Sequence, residues 1–272
     1  MDLELLTGDI WLLVSGIIFA ATLIQSLTGF GFGLLAIPLL LFVLPSYEAI
    51  MAGMILSTLS SLIQGIKMRK LARWDLVFRL LFLSIPGLIL GVGFSRYLNP
   101  MFIKGIVGVV LIVYVVWQWL RFLQKSNKNG GSESPLGQES KEEVLHVHSL
   151  GFASAGFFSG ILNGLAAIPG PPVVALLVKH LDKDTFQATT VNFFILQYTI
   201  TSTAKFIMQK DALSFPFALM IISMILPVLL GLIVGQPIRK RINEENFKKL
   251  VYALLFIIGI TSVWEPVKIF LS

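Results

Sequence analysis

Long apolar runs, separated by short charged or glycine- and proline-rich breaks, dominate this chain of 272 residues. Ten runs can be delimited, at residues 10–28, 34–44, 48–66, 76–94, 103–120, 149–165, 171–181, 185–206, 214–236 and 248–264. Because a hydrocarbon core of about 30 Å needs about 20 helical residues, eight of the runs are near or above the length of a membrane span. The pattern predicts an all-α polytopic membrane protein embedded in a lipid bilayer.

Composition excludes several other classes of protein. Hydrophobic residues make up 56% of the chain and charged residues 13%, whereas soluble domains are about 45–50% apolar and about 25% charged. The chain has no cysteine, which excludes thiolate-held zinc, iron–sulfur clusters and a thiol nucleophile. It also lacks a His/Glu metal-ligand motif and a Gly-x-Ser-x-Gly elbow, so no enzyme activity, metal site or cofactor is expected.

Lys and Arg residues are distributed unevenly over the connections between the runs. Fifteen of the 21 lie in alternate connections, at residues 67–75, 121–148, 179–184 and 237–249, and four lie in the other connections. Because cytoplasmic loops are enriched in Lys and Arg, this bias places the first set in the cytoplasm and both termini outside. The net charge of +6 is then a consequence of topology, and no nucleic-acid partner is expected.

A polar stretch divides the chain into two halves of similar pattern. Residues 121–148 are rich in Gly, Ser, Glu and Lys and are predicted to form a flexible cytoplasmic linker between a first membrane repeat, 1–120, and a second, 149–272. Each half has five runs, and the second run of each half is short and follows a cluster of Gly or Pro. An odd number of segments inverts the second repeat relative to the first. Inverted-topology repeats with a broken or half-helix in each are typical of secondary transporters.

The two break motifs resemble those of a known family. Gln-Ser-Leu-Thr-Gly-Phe-Gly-Phe-Gly-Leu-Leu-Ala-Ile-Pro-Leu-Leu at 25–40 is similar to the first-half motif of the TauE/SafE sulfite exporter family, and Gly-Ile-Leu-Asn-Gly-Leu-Ala-Ala-Ile-Pro-Gly-Pro-Pro-Val-Val at 160–174 to its second-half motif. Phe32 and Pro169 interrupt glycine runs that are common in the family. The resemblance implies a carrier in the cytoplasmic (inner) membrane that exports sulfite, sulfoacetate or a related sulfonate.

Both breaks contain residue types suited to binding an anion. A helix N-terminus offers free backbone N–H groups and about half a positive charge. The break residues Gly29, Gly31, Gly33, Pro169, Gly170 and Pro171, with the polar side chains of Gln25, Thr28 and Asn163 beside them, are therefore the predicted substrate-binding residues. The alternative is that Gly29 and Gly33 form a small-residue pair that only lets two helices pack.

The eighth run is unusually polar for a membrane span. Asn192, Gln197 and Lys205 punctuate it, and Gln197 and Lys205 share a helical face with Thr201. Because polar residues inside a membrane usually face a protein interior or a water path, we expect this run to line the pathway. For Lys205 the alternative is a structural role, with its amine reaching the outer headgroup region.

Acidic residues are almost absent from the runs, since only Glu48 lies inside one. A proton relay usually uses a buried carboxylate or histidine, so the sequence favours export of an anion driven by the membrane potential without coupling. Three alternatives stay open at this level: an importer for another small anion, a channel for one, and a membrane scaffold. A homodimer is compatible with the sequence.

Overall fold

The computed structural model describes residues 8–95, 149–208 and 215–243, and within 245–260 it describes 245–247, 249–250, 253, 256–257 and 260. Every regular element in these ranges is an α-helix, which confirms the all-α prediction. The helices are α1 Gly8–Thr28, α2 Phe32–Leu40, α3 Ser46–Met68, α4 Trp74–Phe94, α5 Ser149–Ala166, α6 Gly170–His180, α7 Lys183–Met208, α8 Phe215–Ser223 and α9 Ile225–Arg241. The predicted run at 103–120, the linker at 121–148 and most of the run at 248–264 lie outside the described residues.

The distribution of polar and apolar side chains is the reverse of that in a soluble protein. Phe82 and Leu150 are 74% and 78% exposed, whereas Gln64 and Gln187 are each 2% exposed. Within the described residues, four stretches are long and apolar enough to cross a membrane: Gly8–Thr28, Tyr47–Met68, Trp74–Phe94 and Phe215–Arg241. An apolar outside around a polar inside is typical of a helical membrane protein.

The ninth predicted run, 214–236, is not one uninterrupted helix. It forms α8 and α9, which are separated at Met224. Pro227 has no backbone N–H to donate to the carbonyl of Ser223, so the hydrogen-bond ladder is interrupted at this point. The stretch Phe215–Arg241 is nevertheless long and apolar enough to cross a membrane as one span.

The two short helices lie where half-helices are expected, with small changes in their bounds. The first begins at Phe32 instead of residue 34 and ends at Leu40, after which residues 41–44 form turns. The second runs from Gly170 to His180, one residue earlier than predicted at each end. Nine residues at a rise of 1.5 Å per residue make α2 about 14 Å long, which is less than half of a bilayer core.

Helix packing follows one pattern in both halves of the chain. In each half, the first helix packs on the last long helix described in the other half, so that α1 packs on α9 and α5 packs on α4. The third helices of the two halves, α3 and α7, pack on each other. Each half also packs its short helix against its own first and third helices. The same pairs of helices are therefore in contact when the two halves are exchanged.

Glycines allow very close packing where the halves meet. A Cβ at Gly87 of α4 would collide with the carbonyl oxygen of Phe157, and a Cβ at Gly160 of α5 with that of Ser84. In the equivalent pair, a Cβ at Gly231 of α9 would lie 2.7 Å from Cβ of Thr22. Small residues bring membrane helices into backbone contact in this way. These contacts fix the positions of α1 and α5, whose C-terminal ends carry the two breaks.

Candidate functional site

The first break is a tight backbone turn between α1 and α2. Gly29 and Gly31 have φ angles of +80° and +96°, which glycine adopts without the steric cost of a side chain. The hydroxyl of Thr28 lies 2.8 Å from the carbonyl oxygens of Ile24 and Phe30, so it bridges the end of α1 and the turn. Helix α2 therefore begins inside the protein, where Phe30 and Phe32 are each 1% exposed.

The second break joins α5 to α6 and is built from different residues. Ala167 has a φ of +57°, a left-handed conformation that is uncommon for a residue with a side chain. Its N–H donates to the carbonyl of Asn163 at 2.9 Å, and the hydroxyl of Ser159 donates to the carbonyl of Pro169 at 2.6 Å. These bonds fix the backbone between the end of α5 at Ala166 and the start of α6 at Gly170.

The two breaks meet at one small buried cavity. A Cβ on Gly33 would lie 3.1 Å from the carbonyl oxygen of Ala167, and a Cβ on Gly170 would lie 4.0 Å from Cδ1 of Leu34. The cavity between them is lined by Gln25, Phe30, Gly31, Phe32, Gly33, Leu34, Ile168, Gly170, Phe194 and Tyr198. Its volume is about 10 Å³, which is enough for the centre of about one water molecule.

The two short helices differ in the backbone donors that they offer to this cavity. The first four N–H groups of a helix have no partner within it. In α2 these belong to Gly31, Phe32, Gly33 and Leu34, and no side chain caps them. In α6 three of the four positions are proline, at 169, 171 and 172, so only Gly170 has an N–H. The donors at the cavity therefore come mainly from α2.

A network of buried amides connects the first break to α3 and α7. Nε2 of Gln25 donates to the hydroxyl of Ser61 at 2.7 Å, and Oε1 of Gln25 has no partner among the described residues. Nε2 of Gln187 donates to the carbonyl of Ser26 at 3.0 Å and to Oε1 of Gln64 at 2.9 Å. The network joins the end of α1 to the start of α7, which belongs to the other half.

A second network connects the second break to α4 and α7. Nδ2 of Asn163 lies 2.7 Å from both Oε1 of Gln197 and the hydroxyl of Thr201, and 3.1 Å from the backbone carbonyl of Gln197. Nε2 of Gln197 in turn donates to the hydroxyl of Ser84 on α4. The networks correspond, since in each half an amide before the break contacts a hydroxyl on the third helix of the same half.

The structure brings some of the predicted site residues together and separates others. Four of them line the cavity: Gln25, Gly31, Gly33 and Gly170. Six others form its surroundings: Thr28 and Gly29 in the first break, Pro169 and Pro171 in the second, and Asn163 and Gln197 in the network behind the second break.

Two predicted residues lie elsewhere. The amide of Asn192 donates to the carbonyl of Ala188 in its own helix at 2.8 Å and faces Gly65 of α3. Lys205 lies in the last turn of α7, two helical turns beyond Gln197, and neither residue lines the cavity. Both residues lie on the helix that was predicted to contain them, but their side chains do not reach the two breaks.

Sequence reasoning missed the aromatic wall of the cavity. Phe194 and Tyr198 are one turn apart on α7, with ring centroids separated by 6.1 Å, and both face the breaks. The aromatic spacing of four residues was visible in the sequence. It is indistinguishable there from ordinary core packing, because only the fold shows which helix face meets the breaks.

With this geometry established, comparison with known proteins assigns the chain to a family. Residues 14–262 match the family described as sulfite exporter TauE/SafE. The chain belongs to this family. The match spans both breaks and both polar networks, confirms the resemblance inferred from the two motifs, and identifies the chain as a member of a family of membrane transporters. No curated protein and no solved structure matches the chain.

Proposed function

We propose that this TauE/SafE family member exports a small sulfur-containing anion, such as sulfite, sulfoacetate or a related sulfonate, across the cytoplasmic membrane. The anion binds in the cavity between the two breaks. The observation that carries the proposal is the convergence of Gly31 and Gly33 with Gly170 on one buried space, beside the uncapped start of α2.

The chemistry of the cavity lining suits an anion that must also be released. Its residues are glycine, aromatic and aliphatic residues with Gln25 and Tyr198, and none of those that line it is charged. Backbone N–H groups and the α2 dipole attract negative charge. Neutral donors stabilise an anion without the strong attraction of a fixed Lys or Arg, so the anion can leave on the other side.

The volume of the cavity supports an alternating-access mechanism. Sulfite has four heavy atoms, whereas about 10 Å³ admits about one water-sized group. In this proposal the cavity walls separate to let the anion enter. We expect the two inverted repeats to move relative to each other. In this topology the linker at 121–148 lies in the cytoplasm and both termini lie outside.

Membrane potential supplies the driving force in this proposal. An inside-negative potential favours outward movement of one negative charge by about 2.3 kcal/mol per 100 mV, a concentration factor of about 50. Glu48 is at the start of α3 and does not line the cavity. No carboxylate lies in the described wall of the cavity to carry a coupled proton, so uncoupled electrogenic export is the expected mode.

The test is efflux from proteoliposomes that are loaded separately with sulfite, sulfoacetate, taurine, chloride or acetate. We expect saturable efflux of at least one sulfur anion, faster when the potential is negative inside and unchanged when proton and sodium gradients are abolished at that potential. Equal movement of all five solutes would contradict a selective carrier. Efflux that stops without a proton or sodium gradient would contradict uncoupled export.

A further inference from the structure

Tyr198 is the cavity residue whose chemistry is not explained by the break motifs. We propose that its hydroxyl is a specificity-determining donor, which binds one oxygen of the transported oxyanion while the N–H groups at the start of α2 bind the others. This inference rests on the proposed function and adds a side-chain ligand from α7 to the site.

The position of the hydroxyl carries the first part of the argument. A Cβ on Gly33 would lie 2.8 Å from the hydroxyl oxygen of Tyr198, so this oxygen lies against the first turn of α2. The side chain is 4% exposed and lines the cavity together with Gly31 and Gly33. The hydroxyl contacts the side chain of Ser57 on α3. A phenol at this place can exchange that partner for an anion in the space that the α2 amides face.

Gln25 provides independent evidence that the cavity has a polar occupant. It is 1% exposed and lines the cavity, and its Oε1 has no hydrogen-bond partner in the part of the chain that the structure describes. Buried side-chain polar atoms are satisfied in most proteins, because an unsatisfied one costs about 1–3 kcal/mol. An amide can turn over to present either its oxygen or its NH₂ group, and the NH₂ group would donate to an anion.

Donors from three helices therefore surround one space. Gln25 comes from α1, the free N–H groups from α2 and the hydroxyl from α7. An anion that spreads its charge over three oxygens, as sulfite and sulfonates do, can accept from all three directions at once. Chloride is a single, smaller sphere and acetate has two oxygens, so we expect neither to reach all three donors as a three-oxygen head does.

The helix that carries this hydroxyl, α7, also contacts the second break. Asn163, four residues before Ala167, donates to the backbone carbonyl of Gln197, the residue before Tyr198, at 3.1 Å. The ring of Phe194, one turn earlier, would be 3.5 Å from a Cβ on Gly170. Tyr198 thus lies on the helix that contacts both breaks, and its hydroxyl faces the donor-rich one.

The experiment compares sulfite and chloride binding by the full-length wild-type protein, Tyr198→Phe and Tyr47→Phe, together with their transport KM. Tyr47→Phe is the control for loss of a phenol hydroxyl, because the Tyr47 hydroxyl is buried, has no partner among the described residues, and lies in the first turn of α3 away from the cavity lining. A hydrogen bond to a charged group corresponds to about a tenfold to hundredfold change in affinity. We expect Tyr198→Phe to weaken sulfite binding and raise its KM by this factor. Chloride binding, the ligand-free melting temperature and the control should change little.

Fluorotyrosine at position 198 gives a second measurement that keeps the ring, and its more acidic hydroxyl should bind sulfite more tightly than tyrosine does. Unchanged sulfite affinity in both Tyr198 variants would overturn the inference and leave the proposed function standing. A wild-type protein that binds and moves none of the sulfur anions would overturn the proposed function and the inference with it.

Discussion

The two helix breaks occupy equivalent places in the two halves, but they solve the same geometric problem with different residues. The first uses two glycines with positive φ, Gly29 and Gly31. The second uses Ala167 at φ +57° and ends in Pro169. Both turn a chain inside the protein and start a short helix at the same cavity. The glycines do so without side-chain strain, whereas Ala167 is held in an unfavourable conformation by its surroundings.

This difference extends to what each break offers an anion. The start of α2 has four N–H groups without helical partners, and the start of α6 has one. The sequence indicated that both breaks contain residue types suited to binding an anion. The structure instead supports an asymmetric site, in which the first break supplies the donors and the second supplies a rigid wall. The predictions below test this asymmetry, beginning with the largest expected effect.

Gly33→Ala should disrupt the site, whereas Gly170→Ala should be tolerated. A Cβ at Gly33 would lie 2.8 Å from the Tyr198 hydroxyl oxygen and 3.1 Å from the backbone oxygen of Ala167, but one at Gly170 would meet its nearest atom at an ordinary 3.5 Å. Overpacking of this kind costs about 1–3 kcal/mol. We expect Gly33→Ala to weaken sulfite binding at least about tenfold. The measurement is thermal stabilisation, to which ligand at 100 times its dissociation constant adds about 2.7 kcal/mol.

If Gly170→Ala weakened sulfite binding as much as Gly33→Ala, the breaks would be equally sensitive and the asymmetric account would be wrong. The comparison is internally controlled, since both variants make the same chemical change at the start of a short buried helix.

Asn163→Ala should loosen the wall on the side of the second break. The amide of Asn163 contacts three acceptors on α7, so its removal leaves Oε1 of Gln197 without this donor. We expect a loss of about 1–2 kcal/mol in the free energy of unfolding, measured in detergent by denaturant titration. Asn192→Ala is the control, because the NH₂ group of that amide donates to a carbonyl of its own helix, that of Ala188. An equal loss in both variants would show that Asn163 has no special structural role.

Substitutions at the two positive-φ positions Gly31 and Ala167 should change the stability of the protein in opposite directions. Gly31→Ala places a side chain at φ +96° and should destabilise the protein by about 1 kcal/mol. Ala167→Gly relieves the strain at φ +57°, so it should stabilise the protein by less than about 1 kcal/mol, part of the gain being offset by the greater freedom of glycine in the unfolded chain. Melting temperatures of the two variants check the signs, and a destabilised Ala167→Gly would contradict the strain at this position.

Pro171→Ala should have the smallest effect, and it tests whether a backbone N–H group at the start of α6 contributes to sulfite binding. The substitution adds an N–H to the first turn of α6 and thereby makes the second break more like the first. We expect sulfite affinity to rise by less than about tenfold, while stability falls by about 0.4–1 kcal/mol because the unfolded chain gains freedom. Titration calorimetry with sulfite gives the affinity. Pro86→Ala in α4, which is away from the cavity, should leave that affinity unchanged.

Features that depend on local backbone chemistry could be predicted from the sequence. The short helices follow clusters of glycine or proline that stop a helix at any position in a fold, and their bounds were predicted to within a few residues. The same chemistry at Pro227 interrupts the ninth run, but a single proline in a long apolar run is also common in continuous membrane helices. The prolines at 171 and 172 were visible too. Their effect on the donor balance became clear only when both helix starts were seen at one cavity.

Features that depend on which helix faces meet could not be predicted. Tyr198 is adjacent to Gln197 in the sequence, yet the two side chains point to different places, one into the cavity and one toward Ser84. Asn192 was grouped with Gln197 by polarity alone and lies against α3 instead. The rotation of α7 is set by its packing on α3 and α4, which no local pattern encodes.

The most direct test of the central claim is potential-driven sulfite efflux from proteoliposomes that contain equal amounts of wild-type, Gly33→Ala or Gly170→Ala protein. The account predicts saturable efflux through the wild type and Gly170→Ala, and at least about tenfold slower efflux at low sulfite through Gly33→Ala. Sulfite efflux through Gly33→Ala at the wild-type rate would contradict a binding site between the two breaks.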